Sequence, residues 1–204
     1  MTVCGNQLAM WLKKSLPSLG LCLALFLAGG AGCAPHLAPA LPPGLTLQPG
    51  RYLTSYYRAP DFQPARATYV IEPFTPGEAQ GIAPETFQAL LHDELIQAWH
   101  ANGLKISPRG DTVLSGTVQY VDLGGVSFRF LTGKITSDLV ASGVITRGGE
   151  TLFAFQDRLH LSSPVKPGPP APKEGELLLR NAAHTLASHL LNEMLLYGLP
   201  VEGR

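Results

Sequence analysis

Three segments between residues 112 and 161 alternate apolar and polar residues, and this alternation restricts the fold more than any other feature of the sequence. They read TVLSGTVQYVDL, SDLVASGVIT and TLFAFQDRLHL. A period of two is that of a β-strand with one buried face, so Leu114 and Tyr120 are expected on the same side. Gly148 and Gly149 tolerate the positive φ angles of a tight hairpin turn. The three segments therefore predict an antiparallel meander with one solvated face.

Two shorter segments complete the predicted sheet. ATYVIEPF, residues 67–74, is rich in β-branched side chains and predicts a strand that Pro73 ends or places near an edge. LKIS, residues 104–107, predicts a short strand before a turn. Between them, TPGEAQGIAP, residues 75–84, has the Pro and Gly content of a loop. The sheet is therefore expected to contain about five strands.

Two further segments carry apolar residues at helical spacing. PETFQALLHDELIQAWHANG, residues 84–103, begins with a proline suited to the first turn of a helix and ends with Asn-Gly, a good helix stop. ELLLRNAAHTLASHLLNEMLLYG, residues 176–198, has a wide apolar stripe and ends before Pro200. We therefore predict two amphipathic helices.

The order of these elements predicts an α+β fold, β-α-β-β-β-β-α, in which both helices pack on one face of an antiparallel sheet. Residues 65–163 and 174–198 are expected to form a single domain. The proline-rich segment 164–173 is expected to link its two parts, because repeated prolines prevent both helix formation and strand pairing.

The first 32 residues have the layout of a secretory signal. Lys13 and Lys14 form a positive n-region, residues 19–27 supply a short apolar stretch, and small residues follow. The apolar stretch is shorter than the roughly 20 residues that a membrane-spanning helix needs. We therefore expect residues 1–32 to be a signal peptide that is removed.

The leader ends in Gly-Ala-Gly-Cys, which resembles a bacterial lipobox. Ala31 and Gly32 match the small positions of that motif and Cys33 the modified one, while Gly30 stands where leucine is usual. The resemblance implies that the Cys33 sulfur receives a diacylglycerol and its new amino group a fatty acid such as palmitate. Ala34, in place of aspartate, implies the outer membrane. The alternative is an ordinary secreted protein in which this cysteine is unmodified.

Residues 33–64 are expected to be a tether between the membrane and the domain. The first part, APHLAPALPPGLTLQPG (34–50), is rich in Pro, Ala and Gly, a composition that favours a semi-extended chain. The second part, RYLTSYYRAPDF (51–62), is expected either to pack on the edge of the domain or to stay loose, and the sequence leaves both alternatives open.

The sequence carries no motif for catalysis, metal binding or nucleic-acid binding. Its 15 basic and 15 acidic residues balance, and no basic stripe is present, which argues against a nucleic-acid partner. Hydrolase, nucleotide-binding and zinc motifs are absent. Adjacent residues diverge on a helix, so His92, Asp93 and Glu94 favour a solvated face over a metal site. We therefore predict no enzyme, no cofactor and no metal; an enzyme built from scattered residues is the alternative.

The C-terminal helix has more leucine than one apolar stripe requires. Leu178, Leu191 and Leu195 widen the stripe, and two explanations are open. Either the helix is deeply buried, or the additional leucines contact a partner protein or lipid. On the second explanation, these three residues are the predicted partner-binding residues.

The order of several short motifs resembles that of small envelope lipoproteins of Gram-negative bacteria, both the lipopolysaccharide-assembly type and the auxiliary type of ABC lipid transporters. The matching pieces, within residues 65–198, are YVIEPF, NGLKI, DTVLSGTVQYVD, LVASGVI and GGETLF. The proline-rich insert departs from that pattern. The resemblance implies a non-catalytic domain that binds a partner in the outer membrane or escorts a lipid.

Together these features predict a lipid-anchored accessory subunit of an envelope transport or outer-membrane assembly machine. It is expected to face the periplasm from the outer membrane and to act by binding a protein. The alternative function is a binder or carrier of a lipid, or of another hydrophobic ligand, held between the sheet and the helices.

Overall fold

One mixed sheet and two helices make up the described part of the chain. The computed structural model describes residues 41–124 except residue 43, 134–164 and 172–196. The strands are β1 (Gln48–Pro49), β2 (Ser55–Arg58), β3 (Thr68–Ile71), β4 (Thr75–Gln80), β5 (Lys105–Ile106), β6 (Thr112–Leu123), β7 (Lys134–Arg147) and β8 (Glu150–Pro164). The helices are α1 (Pro84–Ala101) and α2 (Pro172–Leu196), and a short 3₁₀ turn covers Pro64–Arg66.

The three long strands form the antiparallel meander that their alternation predicts. β6 pairs with β7, and β7 pairs with β8, both antiparallel. Gly148 and Gly149 have φ angles of 56° and 85° in the β7–β8 hairpin, conformations that glycine adopts without strain. The strand order is β1-β2-β8-β7-β6-β3-β5, and β4 also pairs with β6.

The prediction of an α+β fold is confirmed, but that of about five antiparallel strands is inexact, because the sheet has eight strands and is mixed. β3 pairs parallel with β5 and β6, and β4 pairs parallel with β6. The chain returns through α1, and such a crossover lets the next strand run in the same direction. Residues 75–80, expected as a loop, form β4, whose proline is tolerated because this strand lies at a sheet edge.

A register shift in β6 changes which residues face the core. The pairing of β6 with β7 shifts between Val118 and Tyr120, as in a β-bulge. Val121 is therefore buried and Tyr120 only half-buried. The expectation that Tyr120 shares the buried side of Leu114 is wrong, because Gln119 is an additional residue in the pairing.

Both predicted helices are present, and the apolar stripe of each is buried. The buried apolar residues of α1 recur at intervals of four: Phe87, Leu91, Leu95 and Trp99. After the end of α1, Gly103 adopts a φ of 71°, as is common just beyond a helix. α2 packs on β7, β8 and α1. Within the described ranges, neither helix has the length and hydropathy needed to cross a bilayer.

Aromatic side chains fill much of the interior. The Tyr69 and Trp99 rings meet edge-on at 5.8 Å, and the Tyr56 and Phe153 rings stack at 5.7 Å. Such pairs contribute about 0.5–1.5 kcal/mol beyond the burial of the rings. Burial raises the pKa of the Tyr69 hydroxyl, which stays protonated and donates a hydrogen bond to the Pro64 carbonyl at 3.0 Å.

Part of the segment predicted as a tether belongs to the folded domain. Residues 48–66 contain β1, β2 and the 3₁₀ turn, and β2 pairs antiparallel with β8. Four of their side chains are buried in the core: Leu53, Tyr56, Ala59 and Phe62. Of the two alternatives for residues 51–62, packing on the domain edge is the one observed, so the fold begins before residue 65. Residues 33–40 of the tether and 165–171 of the linker lie outside the described residues.

Candidate functional site at the exit of the tether

The three predicted partner-binding leucines do not form one exposed surface. Leu178 and Leu191 are only 4% and 3% exposed, so deep burial accounts for both. Leu195 is half-buried and lines a cleft at the end of α2. The large apolar residues of α2 that are exposed are instead Leu177, at 60%, and Leu196, at 39%. Cys33, the predicted acylation site, lies outside the described residues.

The described residues contain no group of three or more His, Cys, Asp or Glu side chains placed to hold a metal ion. Within the His92–Glu94 trio, Glu94 is buried between the helices. Its carboxylate lies 3.2 Å from His184 Nδ1 and 3.5 Å from Arg180 Nη1, both on α2. His92 Nε2 lies 3.2 Å from the Ile71 carbonyl oxygen instead. The trio therefore diverges, but the expectation of a solvated face is wrong for Glu94, which is buried and joins α1 to α2.

Polar groups converge on residues 50–54, which connect β1 to β2 and are here named the strap. Glu193 of α2 is 3% exposed, and its Oε2 accepts hydrogen bonds from two backbone N–H groups of the strap. The donors are Tyr52, at 2.7 Å, and Leu53, at 3.2 Å. Burial of a carboxylate costs several kcal/mol unless hydrogen bonds compensate for the lost water. The strap provides that compensation for Glu193.

Asp157 of β8, which is 2% exposed, holds the next residue of the strap. Its Oδ1 accepts hydrogen bonds from the backbone N–H and the hydroxyl of Thr54, at 3.0 and 3.1 Å. Its Oδ2 lies 2.8 Å from Nδ1 of His189, one helical turn before Glu193 on α2. Three consecutive backbone N–H groups of the strap therefore donate hydrogen bonds to two buried carboxylates. This arrangement holds a peptide backbone in a fixed position.

Close packing at the strap also restricts the residue types. A Cβ atom at Gly50 would lie 2.4 Å from the Leu53 carbonyl oxygen and 2.7 Å from Glu193 Oε2, so no larger residue fits without movement. The Tyr52 ring centroid lies 6.4 Å from that of His189. The guanidinium carbon of Arg51, an exposed residue, lies 5.6 Å from the Tyr52 ring centroid. Aromatic and cationic side chains therefore flank the carboxylates.

A cleft of about 260 Å³ lies at the same end of α2 as the strap. Its lining includes Arg58, Phe62, Pro64, Arg66 and Leu195. Arg58 donates hydrogen bonds to the carbonyl oxygens of Met194, at 2.6 Å, and Phe62, at 2.7 Å. A cation at the C-terminal end of a helix is favourable because the helix dipole is negative there. The cleft therefore combines two guanidinium groups with apolar side chains.

Asp157 is the residue of this site that the sequence patterns could have indicated. It alternates with Phe153, Phe155 and Leu159 at steps of two residues along β8. Strict alternation therefore places its carboxylate on the same, buried side of the strand. A buried carboxylate requires hydrogen-bond donors, which the alternation cannot identify. The donors come from Thr54, about a hundred residues earlier in the chain.

No family model and no curated protein matches the chain. Among solved structures, PelC from Paraburkholderia phytofirmans, crystallised as a dodecamer, aligns with 14% identity over 74% of this chain and 98% of its own, with a TM-score of 0.45. A protein of family DUF330 from Xanthomonas campestris aligns with 11% identity over 69% and 91%, with a TM-score of 0.47. Rare lipoprotein B from Shewanella oneidensis aligns with 13% identity over 67% and 99%, with a TM-score of 0.44. Likeness at this level assigns neither family nor function.

Proposed function

We propose that the protein is a lipid-anchored, periplasm-facing subunit of the outer membrane that binds a protein of an envelope transport or assembly machine and catalyses no reaction. The observation that supports this is the strap. The chain that leads back to Cys33 is fixed to the body of the domain by two buried carboxylates. An acyl group at Cys33 is thereby connected to the folded domain at a defined point.

The tether sets how far the domain can act from its anchor. Gln48, the first residue of β1, follows Cys33 by 15 residues, a segment that spans about 50 Å when fully extended. Two or more acyl chains hold a protein firmly on a bilayer, whereas one holds it only marginally. The domain is therefore able to reach a partner that projects from the membrane while it remains anchored.

The protein partner is expected to contact the end of α2 that is far from the strap. Leu177 is largely exposed there, and it precedes Leu196 by 19 residues, a distance of about 28 Å along a helix. An exposed leucine gains free energy when a partner covers it. This end remains accessible when the other end faces the anchor.

The anchor is tested by intact-mass measurement of protein extracted from membranes. Acylation adds a diacylglycerol and a fatty acid to a chain that begins at Cys33, and a Cys33→Ser variant lacks both. An unacylated mass, or a Cys33→Ser variant that stays on the membrane as firmly as the wild type, would contradict the proposal.

The partner is tested by pull-down from detergent-solubilised outer membranes, with proteins identified by mass spectrometry. We expect recovery of a component of an envelope transport or assembly machine that is lost with Leu177→Glu and retained with Asn181→Glu, an exposed neighbour on α2. Reproducible recovery of the protein alone counts against this function. A lipid found within the domain by native mass spectrometry would favour the carrier function instead.

A further inference from the structure

The surface around the tether exit has an excess of positive charge. Residues 51–66 contain three arginines and one acidic residue, Asp61. Arg51 and Arg66 are exposed, and Arg58 is half-buried. In the whole chain, by contrast, the basic and acidic residues balance. The carboxylates of Glu193 and Asp157 lie at the same site but are buried, so the excess of positive charge is a property of the exposed side chains alone.

Apolar side chains of α2 lie at the same place. Leu195 lines the cleft, and the neighbouring Leu196 is more than one-third exposed. Glu193, within the same helical turn, fixes Tyr52 of the strap. The end of α2, the cleft and the start of the strap therefore form one continuous part of the domain.

We propose that this part, formed by Arg51, Arg58, Arg66, Leu195 and Leu196, rests on the surface of an anionic lipid bilayer; we name it the membrane-facing end. The proposal depends on the proposed lipid anchor. Arginines close to an anionic surface are attracted by the lipid headgroups. Leucine side chains gain free energy when they leave water for the apolar part of the interface. The two groups of side chains therefore fit the same surface.

The anchor brings this end near the bilayer but does not impose the contact. Gln48, the first residue of β1, follows Cys33 by 15 residues, a length that spans at most about 50 Å, so the anchor allows the domain to touch the bilayer or to stand away from it. Arg51 directly follows β1 and Gly50, so the membrane-facing end begins close to where the chain from Cys33 joins the sheet. Its charge and apolar side chains then decide whether the contact forms.

The size of the cleft favours a surface contact over an enclosed ligand. Its volume of about 260 Å³ lies just below the range of roughly 300–1,000 Å³ that is usual for pockets that enclose a small molecule. The two arginines and the apolar side chains of its lining match the headgroup and the interfacial region of a lipid at a membrane surface. The observations therefore favour a bilayer over a soluble ligand.

The test uses the two exposed leucines of α2 as matched reporters. Acylated full-length protein that carries Leu196→Cys or Leu177→Cys is labelled with an environment-sensitive fluorophore and bound to vesicles with a lipid-borne nitroxide quencher. The vesicles are made of phosphatidylcholine, either alone or with about 30% phosphatidylglycerol. We expect strong quenching at residue 196 on the anionic vesicles, little quenching at residue 177, and weaker quenching at 196 on neutral vesicles or at high salt.

Charge reversal supplies the second comparison. Arg51→Glu with Arg66→Glu should lower the fraction of molecules in contact by about fivefold or more for each arginine. Lys134→Glu reverses the charge of an exposed residue at the start of β7, at the end of the long strands away from the β7–β8 hairpin and from Arg58, and should have little effect. Equal quenching at residues 196 and 177, or equal losses from the two reversals, would overturn the proposal.

The result of the quenching experiment can be distinguished from the result of the intact-mass test of the lipid anchor. If the intact mass shows acyl groups and residue 196 is still not quenched, the anchor stands and the membrane-facing end is refuted. If residue 196 is shielded only when a protein partner is added, this end binds protein and the proposal is likewise refuted. If no acyl groups are found, the proposed function fails before this test begins.

Discussion

The carboxylate of Glu193 accepts a hydrogen bond from the backbone N–H of Tyr52 at 2.7 Å, across 141 residues of sequence. This bond joins the last turn of the C-terminal helix to the point where the chain enters the domain. Together with the second bond to Glu193 and the bonds from Thr54 to Asp157, it holds the strap in place.

Loss of the Glu193 carboxylate should destabilise the domain. Glu193→Ala leaves the N–H groups of Tyr52 and Leu53 without their acceptor, and hydrogen bonds to charged groups contribute about 1.5–3 kcal/mol. We expect the free energy of unfolding in urea to fall by about that amount. Glu176→Ala, in a largely exposed side chain of the same helix, should change it by less than about 0.5 kcal/mol. Equal effects would show that the strap contributes nothing to stability.

Two Asp–His pairs with the same 2.8 Å separation offer a matched comparison of burial. In the pair of Asp157 and His189, the aspartate side chain is buried. In the pair of Asp138 and His160, both side chains are exposed. Asp157 also accepts two hydrogen bonds from Thr54, and hydrogen bonds to a charged group contribute about 1.5–3 kcal/mol, whereas loss of a partner from an exposed pair costs at most about 1 kcal/mol. We therefore expect Asp157→Asn to lower the free energy of unfolding by about 3 kcal/mol and Asp138→Asn by less than 1 kcal/mol. Hydrogen exchange should become faster at residues 52–54 in the first variant alone.

The sequence predicts the meander and both helices because their periodicity depends on neighbouring residues. The alternation between residues 112 and 161 and the four-residue interval from Phe87 to Trp99 are local patterns, and burial then follows from them. β4 was not predicted because its residues TPGEAQ have low strand propensity. It forms a strand by pairing with β6, about forty residues later in the chain. Tyr120 was misplaced because one inserted residue reverses the alternation beyond it.

Most of the candidate site could not be predicted from the sequence, because its contacts join parts of the chain that are far apart. Leu195 was singled out because it widens the apolar stripe of the C-terminal helix, a property of the local sequence. The strap was not found, since its three N–H groups are backbone groups and carry no sequence signal. Their acceptors, Asp157 and Glu193, lie more than one hundred residues away. Only the tertiary structure brings them together.

The two explanations for the leucine-rich face of α2 are separated by a pair of substitutions. Leu191→Glu places a carboxylate in the core without donors, and we expect a loss of more than about 4 kcal/mol, so that the domain does not fold. Leu177→Glu adds a charge at an exposed position and should leave stability within about 0.5 kcal/mol of the wild type. Circular dichroism with urea unfolding measures both. A stable Leu191→Glu protein would show that this leucine is a contact residue and not a core residue.

Tyr69 should make the domain sensitive to alkali. Burial raises the pKa of its hydroxyl above the ordinary value of about 10, so the folded state holds this proton more tightly than the unfolded state does. The resulting stabilisation is complete below pH 10 and is lost as the pH rises further, at up to about 1.4 kcal/mol per pH unit. Tyr69→Phe should cost about 1 kcal/mol at neutral pH, because the bond to the Pro64 carbonyl is lost.

Above pH 10 the Tyr69→Phe variant should lose stability less steeply than the wild type, because phenylalanine has no proton to release. Urea unfolding between pH 8 and about 11 measures the difference in slope. The control is the same pair of proteins between about pH 6 and 8, where tyrosine is protonated in both the folded and the unfolded state and the two slopes should agree. Parallel curves for the wild type and Tyr69→Phe would show that the hydroxyl of Tyr69 ionises as readily in the fold as in water, and that the interior around Trp99 is more hydrated than the edge-on packing of the two rings implies.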